Sequence, residues 1–162
     1  RGDWADTIVR RYLYDTADAV RLAALAGSSF EPLRDLVGKL VREERYHFMH
    51  AEAWFERLAR GGAEPRRRLL AALERLGPDA GTVLTPLPTE LALDMAGILS
   101  APFPELEARW RASLAPVFER LDLPSLPVTR DPGTARTAHS GAFRRLHAEF
   151  TSVRRIDPEA TW

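Results

Sequence analysis

Glu44 and His47 stand three residues apart in the middle of a long helical pattern. Side chains at that spacing share one face of an α-helix, about one turn from each other. Around them, positions alternating by four and three read Leu33, Val37, Leu40, Glu44, His47, Ala51, Trp54 and Leu58. Apart from the central pair the row is apolar, a period of 3.5 that marks a helix packed lengthwise against others. The spacing therefore places a carboxylate and an imidazole on a core-facing seam. A buried carboxylate costs several kcal/mol unless a metal, a cation or a proton donor satisfies it. Asp15 poses the same problem on the preceding helix, where it interrupts the face Ile8, Tyr12, Asp15, Ala19, Leu22, Ala26.

The elements that must position these groups follow from periodicity and punctuation. Residues 3–26 predict a helix, with Asp3 as N-cap and Gly27 as stop. A second apolar face on it (Val9, Leu13, Ala17, Val20, Ala24) predicts burial between several neighbours. Residues 29–60 predict the long helix, started by a Ser28/Glu31 capping box with Pro32 in its first turn and ended at Gly61 and Gly62. The short link between the two makes them antiparallel neighbours. Asp15 then lies ~17 Å before the turn and Glu44 ~22 Å after it, close enough along the axis for the two acids to approach.

Downstream, helices are expected over residues 64–76, 105–121 and 138–156, with a short one near 90–99 inside a proline-rich excursion spanning 78–104. Gly77 and Pro78 are expected to end the third helix, and residues 122–136 form a second loop. The run Arg66, Arg67, Arg68 reads as the solvated edge of an amphipathic helix, or as a patch for an acidic partner. Trp4, Trp54, Trp110 and Trp162 read as core or interface anchors. No strand pattern, repeat or low-complexity tract is present, so the class is all-α.

Composition narrows the function. The 162 residues carry 23 basic and 23 acidic side chains, and this balance argues against nucleic-acid binding. No cysteine means no disulfide frame, thiol nucleophile or Cys-ligated zinc. No apolar run reaches membrane-spanning length and no signal peptide is evident, so a soluble cytoplasmic protein is the expectation. The near absence of lysine, Lys39 alone against many arginines, reads as compositional bias. There is no phosphate loop, nucleophile elbow or dinucleotide fingerprint. Ser140 beside His139 reads as a helix cap.

That leaves Asp15, Glu44 and His47 as the constellation with metal-like spacing. Di-iron sites in four-helix bundles take one acid from each of two helices and Glu-x-x-His from each of the other two. This chain supplies half of that set, since His50, His139 and His147 lack an acid three residues before them. A metal half-site and a buried hydrogen-bonded polar cluster both satisfy the pattern.

The stretch from Asp3 to Asp15 (DWADTIVRRYLYD), the run from Glu43 to His50 (EERYHFMH) followed by Trp54, Arg57 and Leu58, and a terminus closing through His139-Ser140 to Trp162 resemble the C-type subunits of bacterial phenylacetyl-CoA ring-epoxidases, multicomponent oxygenases of the ferritin-like family. The resemblance is strongest over residues 3–76 and the last twenty-five, and weak across the proline-rich middle. It implies a ferritin-like helical bundle and a non-catalytic structural subunit in aerobic phenylacetate degradation. Such a subunit pairs with a catalytic subunit that carries the di-iron centre. It implies no cofactor, catalytic residue or metal in this chain, with Asp15, Glu44 and His47 as a remnant half-site. The implied partners are the catalytic subunit and copies of this chain, without nucleic acid or membrane. Members of the family begin with a further helix pair, so residues 1–162 are expected to form one domain incomplete at its N-terminus. The alternative is a di-iron carboxylate oxygenase with Glu44 bridging and His47 terminal. A third reading is an unrelated helical module with a chance Glu-x-x-His.

Overall fold

The structure, a computed structural model, describes residues 2–128, 136–157 and 159. It is all-α, with no strand among the described residues. Four helices build the body: α1 (Trp4–Leu25), α2 (Glu31–Arg60), α3 (Ala63–Ala80) and α4 (Phe103–Arg120). Two further helices, α5 (Gly141–Phe150) and α6 (Ser152–Ile156), lie near the C-terminus. The expected anchor Trp162 lies outside the described residues.

Helix α1 is the central element, touching α2, α3 and α4. Its two apolar faces explain this, because Ile8, Val9, Tyr12, Leu13 and Ala17 are all buried. Asp3 caps it as expected: its carboxylate accepts from the Asp6 N–H at 3.1 Å, while Asp6 accepts from the Asp3 N–H at 2.9 Å. Aromatic contacts fix the antiparallel register of α1 and α2. Trp4 meets Trp54 edge-on at 5.5 Å, and Tyr12 stacks on Phe55 at 4.1 Å. From the other side of α1, the fully buried Trp110 of α4 donates its indole N–H to the Thr16 hydroxyl at 2.9 Å.

Three expectations about element ends change. Ser28 does not cap α2. Its hydroxyl accepts from the Phe30 N–H at 3.2 Å, and Ser29 is tied to the excursion through N–H to Gly97 O at 2.8 Å. That bond and a second from Ser29 Oγ to Ala96 O at 3.2 Å hold the link against residues 96–97, and the helix starts at Glu31 after an uncapped Phe30. Helix α3 runs past Gly77 and Pro78 to Ala80. A proline in the last turn forfeits only one ladder bond. Gly77 has a separate use, since a Cβ there would lie 3.0 Å from the Pro127 ring, so its bareness lets the 122–128 loop close on α3. No regular helix forms over 90–99. A 3₁₀ turn (Pro88–Glu90) leads into successive turns, and Gly97 at φ +69° reverses the chain. So few residues between prolines and that reversal cannot offset helix nucleation.

The arginine run is not a uniform solvated edge. Arg67 and Arg68 pair with Glu64, as an amphipathic surface would have it. Arg66 instead reaches between helix ends, donating to Ala59 O at 3.1 Å, Leu121 O at 3.0 Å and Asp122 O at 2.5 Å. One cation thus caps the C-termini of α2 and α4, where carbonyls lack helical partners. Arg66→Met is expected to lower stability by about 1 kcal/mol after allowance for solvent at this partly exposed site, read as the midpoint shift in urea unfolding.

Candidate functional site

Asp15 is enclosed on α1, its side chain only 2% exposed. It lines a groove of about 290 Å³ between α1 and α2 together with Leu22, Val41, Glu44 and Phe48. The structure therefore brings Asp15 and Glu44 to one groove, as the axial offset predicted. The nearest cation is Arg11, one turn before Asp15, with Nη2 3.1 Å from Oδ2. The pairing is by charge rather than alignment, since neither Asp15 oxygen has a hydrogen-bond partner. Burial pushes the Asp15 carboxyl above the ordinary carboxylate range, Arg11 opposes that, and the charge of Glu44 adds to it.

Glu44 and His47 are not buried. The imidazole Nδ1 lies 3.1 Å from Glu44 Oε2, with the His47 and Glu44 side chains 58% and 37% exposed respectively. The correction has a geometric cause. A straight α-helix repeats every 3.6 residues and drifts about 20° per heptad from a 3.5 seam. The row turned toward the core runs through Val37, Ala51, Phe55 and Ala59, and Glu44 and Phe48 lie between, at the edge of the groove. His47 rotates outward and Phe48 takes its place. His50 is exposed, as expected from its position.

Among the described residues, no cluster of three His, Cys, Asp or Glu side chains is close enough to hold a metal ion. Two carboxylates and one outward imidazole do not fit a di-iron centre, which draws acids from four helices. What the site can do chemically is hold an unsatisfied acid at the floor of an apolar groove. Sequence reading missed Arg11 as a specific partner, although Arg-x-x-x-Asp is the i,i+4 spacing that pairs charges on a helix. It also missed the Thr16–Trp110 bond, for which no local signal exists, because the partners lie 94 positions apart.

The outer half of α2 is thinly covered. From Glu31 to His50 only Val37 is buried, and Leu36, Val41, Tyr46 and Met49 are exposed. No described helix is long and apolar enough to cross a membrane.

The helix order and the packing of α1 against its neighbours define a helical bundle of the ferritin-like class. The family model described as "Phenylacetic acid catabolic protein" matches residues 1–162, and the chain belongs to that family. It is 26% identical over 165 residues to the C-type subunit of the 1,2-phenylacetyl-CoA epoxidase of Escherichia coli (strain K12). That match takes in 99% of this chain and 65% of the relative, so the chain spans about two thirds of the relative's length.

Proposed function

We propose that this chain is a non-catalytic structural subunit of a multicomponent phenylacetyl-CoA epoxidase in phenylacetate catabolism. It would pack against a partner subunit that carries the di-iron centre, and stabilise it. The observation that carries this reading is the donor set: one enclosed acid without hydrogen bonds and an exposed Glu44–His47 pair, in a chain whose family and relative belong to phenylacetate metabolism.

The test is a double variant, Glu44→Ala with His47→Ala, in the reconstituted complex. Turnover per assembled complex is expected to stay within about twofold of wild type, because neither group would touch the reacting atoms. Iron measured on this chain alone should be unaffected by the variant. A drop in turnover of a hundredfold or more with assembly intact, together with iron lost from this chain, would make it the di-iron subunit instead.

A further inference from the structure

We propose that the α1–α2 interface holds a second cavity, which binds a small single-ring carboxylate. The proposal goes beyond the structural-subunit reading and does not depend on it. The cavity encloses about 220 Å³ and is lined by Trp4, Ile8 and Arg11 of α1 and by His47, His50 and Ala51 of α2. Helical spacing builds it. Trp4, Ile8 and Arg11 stand four and three apart on one face of α1, and His47, His50 and Ala51 fall within about one turn of α2. His47, turned out of the core seam, thus borders this cavity.

The walls suit an aromatic body. Ile8 and Ala51 are buried and give the cavity an apolar floor. Trp4 is half exposed, yet Trp54 meets its ring edge-on at 5.5 Å. Trp54 also lies 6.5 Å from the His50 ring and carries Arg57 over its face at 4.6 Å. Both rings that flank the cavity are therefore held in place before a ligand arrives, which lowers the ordering cost of binding. The volume falls below the ~300–1,000 Å³ of drug-sized sites, and this limits the occupant to about one ring.

The polar groups suit an acid. Among the described residues no carboxylate lines this cavity, whereas Asp15 and Glu44 line the other α1–α2 groove. Arg11 joins the two. Its Nη2 is 3.1 Å from Asp15 Oδ2, but none of its N–H groups makes a hydrogen bond to a described residue. Its planar fork of donors is open to a carboxylate, which it can hold through two parallel bonds. His50 has no hydrogen-bond or ion-pair partner among the described residues and adds a donor at the rim. Because Arg11 shares its charge with Asp15, charge alone gives little affinity, and the ring must supply the rest. A dianion such as phosphate would need more positive charge than one guanidinium and two exposed imidazoles provide.

The test uses the full chain at pH 7 with phenylacetate, phenethylamine and acetate as probes. Phenethylamine keeps the ring with the opposite charge, and acetate keeps the acid without the ring. By calorimetry, phenylacetate is expected to bind at one site at least about tenfold more tightly than acetate, with phenethylamine not binding. The Trp4 indole N–H resonance should move during the titration and that of the enclosed Trp110 should stay. His50→Glu, at an exposed position, should weaken phenylacetate binding about tenfold and leave the thermal melt unchanged. Arg11→Lys keeps a cation beside Asp15 but loses the fork, so it should weaken binding by a similar factor. Equal phenylacetate binding by wild type and both variants would overturn the proposal. So would acetate binding as tight as phenylacetate, binding of phenethylamine, or no binding by wild type. Each of these outcomes leaves the structural-subunit reading standing, since that reading is decided by turnover and iron in the complex.

Discussion

Trp110→Ala is expected to cost about 3–5 kcal/mol, enough to leave the isolated chain largely unfolded at physiological temperature. Trp110 is fully buried on α4, and its indole reaches across the interior to the Thr16 hydroxyl on α1. Thr16 in turn donates back to Tyr12 O at 2.8 Å, so the contact continues into the turn of α1 that stacks on Phe55. Truncation removes the largest side chain of the core, opens a cavity that rigid neighbouring helices cannot collapse into, and deprives a buried hydroxyl of a donor. Trp110→Phe separates these terms. It keeps most of the volume and loses the hydrogen bond, so it should cost about 1–3 kcal/mol. Urea unfolding followed by circular dichroism reads both. A Trp110→Ala chain as stable as wild type would mean that α4 is not joined to α1 through this contact.

How much of this was legible in the sequence depends on how local the signal was. Asp3 announced its own cap, Gly61 ended α2, and Ser140 capped α5, since each acts on backbone within three or four residues. The all-α class followed from periodicity alone. The misplacement of His47 arose because a 3.5 period and a 3.6 period agree over one heptad and part over three. Phe48 and Phe55 carried the correct answer, as two large apolar residues each lying one place after the seam. Arg66 was unreadable from sequence for another reason. Its acceptors are main-chain carbonyls at the ends of α2 and α4, and any residue supplies a carbonyl. The candidate site was legible as a set of three residues but not as a geometry. The one that mattered most was Asp15, whose burial followed from two apolar faces on α1.

Asp15→Asn is expected to stabilise the isolated chain at pH 7 by about 2 kcal/mol, a rise in Tm of about 4–8 °C. The wild-type carboxylate sits in an apolar groove with both oxygens lacking hydrogen bonds, and Arg11, itself partly in solvent, recovers only part of the cost of burying the charge. Because burial raises the folded-state pKa above the reference of 3.8, the folded chain holds the Asp15 proton more tightly than the unfolded chain does. The native carboxyl therefore contributes most favourably at low pH and loses that contribution as pH rises through its raised folded value. The advantage of asparagine should follow the same curve in reverse. It should be full at neutral pH, decline as the wild-type group takes up its proton, and vanish below about pH 3.8. Melts of both chains between pH 3 and 8 measure this directly, and parallel curves across that range would show that Asp15 is already satisfied by Arg11. The reconstituted complex gives the converse reading. If a subunit covering the α1–α2 groove brings a donor to Asp15, the carboxylate becomes the better partner there, and Asp15→Asn should weaken assembly while strengthening the free chain. That opposition of signs between the free and assembled protein distinguishes an acid held ready for a partner from one that is merely tolerated.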